Sequence, residues 1–255
     1  MLFLFSTAIL FEFMDITISN VGKQYGTAHI TKALDSVSFT VKSGEFIAIM
    51  GPSGSGKTSL LNIIAAIDTA TQGSVFFGDF ELTKASAAEL AEFRKNNIGF
   101  VFQNYNLLDT LTLEENILLA LSLNKQSKKE MLARAKDLQE NFGIYELRNK
   151  YPHEVSGGEK QRCACARAIS NKPALVLADE PTGALDSHSA HILLETFKKM
   201  NTEMHTSILM VTHDVFSASY AERLLFLKDG KVVKELFRRD KDRKTFMSEI
   251  YDAQF

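Results

Sequence analysis

Residues 51–58 read GPSGSGKT, and this segment constrains the fold of the chain more than any other. The apolar residues 46–50 before it are typical of a strand, and the periodic residues 59–67 after it are typical of a helix. The segment fits G-x-x-x-x-G-K-[ST] in full, in the strand–loop–helix context that this pattern requires. Glycines let backbone N–H groups face phosphate oxygens, and a helix N-terminus adds positive potential. The sequence therefore predicts a nucleoside triphosphate site made by Gly51, Pro52, Ser53, Gly54, Ser55, Gly56, Lys57 and Thr58.

Two of these residues have individual predicted roles. Lys57 is expected to pair with the β- and γ-phosphates, and the Thr58 hydroxyl is expected to hold Mg²⁺. A second segment completes the metal site. Residues 175–179 read LVLAD, a buried strand with Asp179 at its carboxyl end, where ligands of parallel sheets bind. Asp179 suits the Mg²⁺ shell, and the adjacent Glu180 can polarise a water for attack on the γ-phosphate. If the phosphate loop were absent, Asp179 and Glu180 would be interpreted as an acidic pair on the surface at the end of a strand.

The composition limits the class of protein and of partner. The chain has 255 residues, of which 45% are hydrophobic and 24% are charged, as in an ordinary globular protein. The formal net charge is −2, which argues against non-specific binding of nucleic acid, and no nucleic-acid partner is expected. The two cysteines, Cys163 and Cys165, form neither a disulfide framework nor a set of zinc ligands. They are expected to be small core residues.

The first 13 residues form an apolar leader. Residues 1–11 carry no charge, but a membrane-spanning helix needs about 20 apolar residues. A secretory signal needs a positive charge before its apolar stretch, and the first basic residue is Lys23. We expect translation to begin at Met14, where a strand pattern starts. If the leader is made, it is expected to be a poorly ordered apolar tail.

The remaining chain alternates between strands and helices. Residues 14–81 are strand-rich, residues 73–82 predict a hairpin, and residues 86–95 and 113–147 have helical periodicity. After Pro152 strands and helices alternate again. The predicted elements are a helix after Ser156, a strand at 174–179, a helix around 191–200 and a strand at 208–214. A hairpin follows at 224–236, with its turn at Asp229-Gly230. This predicts an α/β fold with a mostly parallel sheet covered on both faces. The domain spans 14–240 with a helical subdomain at about 105–165, and residues 241–255 form a tail. The charge-dense segment 238–244 is typical of a solvated helix face.

Ser156-Gly157-Gly158-Glu159 precedes another helical run. Ser-x-x-Glu is a capping box, which satisfies N–H groups at the start of a helix. The two glycines need a further reason, because better helix formers would serve a cap alone. They would let a ligand approach the backbone, and a helix N-terminus attracts anions. The capping and phosphate-binding interpretations are compatible, and both are retained.

With these motifs in this order, the chain resembles the ATP-binding cassette (ABC) ATPases over about residues 14–236. Residues 156–162, which read S-G-G-E-K-Q-R, resemble the signature of that family. The resemblance implies a P-loop NTPase fold, with a RecA-like parallel core, an antiparallel β subdomain and a helical signature subdomain. It also implies four roles. Tyr25 resembles the aromatic residue that stacks on adenine. Gln103 resembles the glutamine that touches Mg²⁺ and the attacking water. Residues 184–186, which end at Asp186, resemble the loop that crosses the dimer interface in this family, and His213 resembles the switch histidine at the γ-phosphate.

The resemblance further implies an assembly. Two chains would pack head to tail as a homodimer, with ATP and Mg²⁺ held between Lys57 of one chain and residues 156–158 of the other. A separate integral-membrane permease would bind the cassette at the cytoplasmic face of the membrane. Residues 106–112 lie where the family docks a coupling helix of the permease.

Within the family, residues 100–117, 177–187 and 218–230 are similar to cassettes of lipoprotein-releasing and macrolide-type transporters. The similarity extends furthest to the bacitracin-type antimicrobial-peptide branch, in which the permease cooperates with a sensor kinase. Four alternatives stay open: a lipoprotein exporter, a macrolide exporter, a cell-division scaffold cassette, and a cytosolic iron–sulfur assembly ATPase. The transported substrate is not encoded in this chain.

Overall fold

A computed structural model describes residues 14–27 and 29–254 of the chain. The leader predicted at residues 1–13 lies outside the described residues. Within them, no helix is both long enough and apolar enough to cross a membrane.

The larger of two sheets has six strands, five of which are parallel. Its order is β10-β9-β3-β8-β7-β6, and β10 pairs antiparallel with β9 at one edge. All residues of β3 and β8 are buried, which explains why these strands are continuous apolar runs without alternation. The strands are β3 (Phe46–Met50), β6 (Ile98–Val101), β7 (Leu175–Asp179), β8 (Ser207–Val211), β9 (Arg223–Lys228) and β10 (Lys231–Phe237).

The second sheet is antiparallel, with order β2-β1-β4-β5. Its strands are β1 (Ile16–Tyr25), β2 (Thr31–Val41), β4 (Gln72–Phe77) and β5 (Phe80–Glu81). Buried and exposed residues alternate along much of β2 and β4, as expected when one face of a sheet packs and the other meets water. The buried face shares a hydrophobic core with one side of the parallel sheet and with the first helix.

Eight α-helices accompany the sheets in the described residues. They are α1 (Lys57–Ile64), α2 (Ala87–Asn97), α3 (Leu113–Ser122), α4 (Lys128–Asn141), α5 (Gly157–Ala168), α6 (Ser187–Met204), α7 (Val215–Ala218) and α8 (Arg243–Gln254). Helices α3, α4 and α5 pack on one another within a second core, which lies on the other side of the parallel sheet. Helices α3 and α4 and most of α5 fall within the predicted helical subdomain at about 105–165, whose boundaries stay predictions.

The predicted α/β fold class is confirmed, with two differences in detail. The sequence analysis did not identify β6, because four residues including Gly99 carry too little pattern. The charge-dense segment before α8 indicates only a solvated face. In the structure, α8 also has an apolar face, on which Phe246 and Ile250 are fully buried.

Candidate nucleotide site

The loop between β3 and α1 has a backbone that its glycines make possible. Gly54 and Gly56 have φ values of 78° and 101°, in the left-handed region that favours glycine. A Cβ at Gly56 would also lie 2.3 Å from the carbonyl oxygen of Ala33, so a side chain there would clash with β2. The loop therefore lies directly against the antiparallel sheet.

Helix α1 begins without a cap. Gly56 offers no side-chain acceptor and the first turn has no acidic residue, whereas Ser86, Thr112, Ser127 and Ser156 each close a capping box at the start of another helix. The first N–H groups of α1 are thus open to an external acceptor. A phosphate is a suitable acceptor at such a helix end.

Lys57 is the cation of this loop. Its Nζ donates to the carbonyl oxygens of Gly51 and Pro52, at 2.8 and 2.9 Å. Burial lowers the pKa of the Lys57 ammonium, while the nearby Glu180 and Asp179 act in the opposite direction. A buried ammonium that two carbonyl oxygens hold at the phosphate loop is suited to binding a polyanion.

An open cleft of about 660 Å³ lies over the loop. It brings together most of the predicted phosphate residues with two residues from distant parts of the chain, Glu180 and His213. The remaining lining is Ser59 of α1 and three residues of β2, namely Thr31, Lys32 and Ala33. The sequence analysis missed these three residues because no motif marks them; the sheet packing alone brings them to the cleft.

Thr58 and Asp179 meet at the edge of the loop. The Thr58 hydroxyl donates to Oδ2 of Asp179 at 3.2 Å, joining residues that are distant in sequence. Burial raises the pKa of the Asp179 carboxyl, and the Thr58 hydrogen bond opposes this shift. One hydroxyl and one carboxylate are oxygen donors of the kind that Mg²⁺ takes alongside phosphate and water. The donor set fits the predicted ion.

Glu180 and His213 face each other. Oε1 of Glu180 lies 3.2 Å from Nδ1 of His213, and the His213 side chain is largely exposed. Glu180 has a φ of 44°, a left-handed conformation that a non-glycine residue adopts only when its surroundings hold it there. Its N–H donates to the carbonyl of Val211 at the end of β8.

Gln103 follows β6 and reaches the turn after Glu180. A Cβ at Gly183 would lie only 2.9 Å from Nε2 of Gln103, so the glycine leaves room for this amide. Beyond it, Tyr105 and Asn106 have φ values of 61° and 48°. The Arg167 guanidinium of α5 donates to both of their carbonyl oxygens, at 2.9 and 2.5 Å. Arg167 thereby ties the segment after Gln103 to the signature helix.

Ser156 and its two glycines lie outside the cleft lining. The Ser156 hydroxyl accepts from the N–H of Glu159, as predicted for a cap. A Cβ at Gly157 would lie 2.8 Å from the Tyr105 hydroxyl, and one at Gly158 would lie 2.7 Å from Oγ of Ser189. The structure therefore packs the signature against the segment after Gln103 and against α6.

Asp186 caps α6. Its carboxylate accepts from the N–H groups of His188 and Ser189 and from the Ser189 hydroxyl. These hydrogen bonds, chiefly the one from the hydroxyl, lower the pKa of Asp186. Its predicted role at a dimer interface stays a prediction.

Tyr25 lies beside the cleft at the end of β1. Its hydroxyl donates to Oδ2 of Asp68 at 2.8 Å, and Nζ of Lys23 lies 4.8 Å from the centre of its ring. Tyr25 is 40% exposed and is not part of the cleft lining. Its predicted contact with adenine stays a prediction.

Comparisons with known proteins agree with this geometry. A family model described as ABC transporter matches residues 34–183. The chain is 46% identical over 237 residues to the bacitracin export ATP-binding protein BceA of Halalkalibacterium halodurans, covering 92% of this chain and 94% of the relative. It is 41% identical over 224 residues to the macrolide export ATP-binding/permease protein MacB of Mannheimia succiniciproducens, covering 86% of this chain but 34% of that longer protein. The dimeric structure of the cassette MJ0796 of Methanocaldococcus jannaschii, in a post-hydrolysis state with ADP and Pi, superposes with a TM-score of 0.83 at 39% identity, covering 88% of this chain and 99% of that one.

Proposed function

Because the chain belongs to the ABC transporter family, we propose that it powers the export of a bacitracin-type antimicrobial peptide through a separate membrane permease. The chain binds and hydrolyses ATP as a cassette of this family. The observation that carries the finer proposal is the 46% identity with a bacitracin export ATP-binding protein over 92% of the chain. A cassette of this kind would act at the cytoplasmic face of the membrane, and a sensor kinase would join it through the permease.

The phosphate contacts follow from the loop. The open N–H groups of α1 and of the glycine loop would donate hydrogen bonds to the β- and γ-phosphate oxygens, and Lys57 would neutralise part of the phosphate charge. The three residues of β2 that line the cleft would lie beside the nucleotide, with Tyr25 next to them for the adenine. Ser156, Gly157 and Gly158 would complete the site of a second chain.

Hydrolysis needs a water, a base and stabilisation of the charge on the γ-phosphate. Glu180 would accept a proton as the water attacks phosphorus, and the bond between the γ-phosphorus and its bridging oxygen would break to give ADP and phosphate. His213 would contact the γ-phosphate, and Gln103 would orient the water. Thr58, Asp179 and Gln103 would hold Mg²⁺, which neutralises charge that develops on the phosphate oxygens when it is bound.

The dimer would close around ATP. Ser156–Gly158 lies outside the cleft of its own chain, so a single chain offers an incomplete site. In a head-to-tail pair each triphosphate would gain the signature helix of the other chain, and closure would depend on the γ-phosphate. The relative MJ0796 is dimeric in two structures, which supports a dimer of this chain.

A macrolide exporter is the second candidate, supported by 41% identity with MacB over 224 residues. Purification of the Glu180→Gln chain with ATP from detergent-solubilised native membranes separates the two. Co-purification of a permease with a large extracellular domain, together with bacitracin sensitivity when the cassette gene is deleted, is the expected result. Macrolide sensitivity without bacitracin sensitivity would favour the second candidate. Soluble partners alone would contradict both and would favour an iron–sulfur assembly ATPase.

A further inference from the structure

The segments that carry Glu180 and His213 are joined at a second point, away from the nucleotide cleft. We define the Glu180 turn as residues 180–183 and the His213 segment as residues 212–217. Thr182 Oγ1 in the turn lies 3.0 Å from Oγ of Ser217 at the end of the His213 segment. Ser217 is fully buried, and neither hydroxyl belongs to the residues that line the cleft.

The direction of the hydrogen bond between Thr182 and Ser217 follows from a second hydrogen bond, between Ser217 and Asp214. Ser217 Oγ lies 2.6 Å from Oδ2 of Asp214, and a carboxylate only accepts, so the hydrogen of the Ser217 hydroxyl is committed to Asp214. Ser217 can then only accept from Thr182, whose hydroxyl must be the donor. Asp214 also accepts from the N–H groups of Phe216 and Ser217. The result is a directed chain from Thr182 through Ser217 to Asp214, the residue after His213.

The Glu180 turn needs such support. Glu180 lies in the left-handed region, where a residue with a side chain is strained, and the turn closes with the Gly183 N–H donating to the Glu180 carbonyl at 3.0 Å. On the other side, the Thr212 hydroxyl accepts from the N–H of Asp214 at 3.1 Å and fixes the start of the His213 segment. The contact between the Glu180 and His213 side chains is therefore set by two short backbone segments.

We propose that Thr182 and Ser217 are positioning residues for ATP hydrolysis: their buried hydrogen bond holds the Glu180 turn in register with the His213 segment. This inference rests on the proposed function, in which Glu180 is the base. A base that is displaced by a fraction of its hydrogen-bonding distance loses rate steeply, while phosphate binding through Lys57 and α1 is unaffected. The bond should therefore control turnover rather than affinity.

The test compares steady-state ATP hydrolysis of the full chain in Thr182→Val, Ser217→Ala and Thr182→Ser variants. Valine matches threonine in shape but cannot donate, and serine retains the donor. The matched control is Ser219→Ala, because Ser219 is equally buried but donates to the nearby carbonyl oxygen of Phe216 rather than joining the Glu180 turn. ATP affinity and thermal midpoint are measured for every variant.

We expect Thr182→Val and Ser217→Ala to lower kcat about tenfold or more, since misplaced catalytic groups cost up to about 10²-fold. Their KM and Kd for ATP should stay within about twofold of the unmodified chain, and Thr182→Ser and Ser219→Ala should keep normal kcat. Values of kcat in Thr182→Val and Ser217→Ala that match Ser219→Ala would overturn the proposal. So would an equal loss of kcat and ATP affinity. Glu180→Gln is assayed alongside these variants. If Glu180→Gln keeps full turnover, Glu180 is not the base and the positioning role fails with it. If Glu180→Gln loses turnover but Thr182→Val does not, only the positioning role fails.

Discussion

At the scale of single residues, the chemistry is concentrated in side chains whose surroundings oppose their charge. Lys57 is buried with its ammonium on two carbonyl oxygens, and Asp179 is held at the end of a buried strand. Burial disfavours the charged form of both residues, which lowers the pKa of Lys57 and raises that of Asp179. A bound polyanion and a divalent cation would relieve both penalties.

Replacing Lys57 by alanine should weaken nucleotide binding itself. The variant loses a charge-assisted interaction with the phosphates, which is worth about 1.5–3 kcal/mol, or roughly 10- to 150-fold in affinity. Titration with a fluorescent ATP analogue measures this change. Lys32→Ala is a useful comparison, since Lys32 also lines the cleft but is partly exposed and paired with Asp35. Unchanged ATP affinity in Lys57→Ala would contradict the phosphate assignment.

Replacing Glu180 by glutamine should separate binding from turnover. The amide keeps the shape of the side chain but cannot accept the proton of the attacking water, so hydrolysis should fall by about 10²- to 10⁴-fold. ATP affinity should stay near normal, because Glu180 is not expected to hold the phosphates. Near-normal ATPase activity in this variant would show that another group is the base.

At neutral pH, Asp179 should destabilise the folded protein when no nucleotide is bound. Its folded pKa is raised by burial, so its favourable contribution is complete only below the unfolded pKa and is lost as the pH rises through the folded pKa. Asp179→Asn should therefore raise the thermal midpoint at neutral pH, by an amount that shrinks as the pH falls, while Mg²⁺-dependent ATP hydrolysis is lost. Thermal denaturation across pH measures the difference.

Asp186 serves as a control, because its ionised carboxylate should stabilise the folded protein at neutral pH, whereas that of Asp179 should destabilise it. Its pKa is lowered by hydrogen bonds at the start of α6, so its contribution is present above the unfolded pKa and is lost as the pH falls through the folded pKa. Asp186→Ala should lower the thermal midpoint at neutral pH. If Asp179→Asn also lowers it there, the burial penalty inferred for Asp179 is wrong.

At the scale of elements, Arg167 is the most specific connection between the helices and the cleft. It lies in the last turn of α5, whose first turn carries the signature residues Gly157 and Gly158. Its guanidinium holds two consecutive carbonyl oxygens, those of Tyr105 and Asn106, in a left-handed stretch that follows Gln103. Movement of the signature helix would therefore be passed to the segment that carries Gln103.

Arg167→Ala should destabilise the protein by about 1.5–3 kcal/mol, the usual contribution of hydrogen bonds from a charged group. Arg167→Lys should recover only part, because a point charge cannot reproduce the planar fork. Urea denaturation measures both. Arg134→Ala is the control. Arg134 lies 3.4 Å from the carbonyl oxygens of Ile169 and Ser170, and its shorter contact is an exposed ion pair with Asp137, so its loss should cost less. Equal effects of the two alanine variants would contradict a special role for Arg167.

At the scale of the whole molecule, the separation of the signature from the cleft is the main feature. The cleft lining contains the phosphate loop but none of residues 156–158. Both native cysteines are buried, and burial raises the pKa of the Cys163 thiol to about 12 and that of Cys165 further. Few native thiolates are therefore available to react, which makes introduced cysteines selective probes.

A chain carrying Ser53→Cys, Ser156→Cys and Glu180→Gln should form a covalent dimer when it is treated with a short bis-thiol reagent and ATP. Ser53 lies in the phosphate loop of one chain and Ser156 would approach it from the other. Denaturing gel electrophoresis measures the product. Chains with only one introduced cysteine are the controls, and each should stay monomeric. Absence of a cross-link in the double-cysteine chain, when ATP binding is intact, would contradict the head-to-tail arrangement.

The sequence by itself determined the parts of this protein that depend on local pattern. The α/β fold class followed from apolar strands and periodic helices, and the phosphate loop followed from eight consecutive residues between a strand and a helix. A helix after the phosphate loop is confirmed as α1, although it ends at Ile64 rather than at the predicted Ile67. The hairpin at Asp229-Gly230 is confirmed in β9 and β10. These features are encoded within a few residues of one another, so a single segment carries the whole signal.

Only the tertiary structure decided which distant segments meet. Thr31, Lys32 and Ala33 line the cleft because the antiparallel sheet packs against the phosphate loop. Thr182 and Ser217 are joined because two neighbouring parallel strands, β7 and β8, end side by side and release their loops at the same edge of the sheet. No local motif marks such pairs, since a threonine or a serine is compatible with many environments. Their partners are set by the order of strands and by burial, which are properties of the whole folded chain.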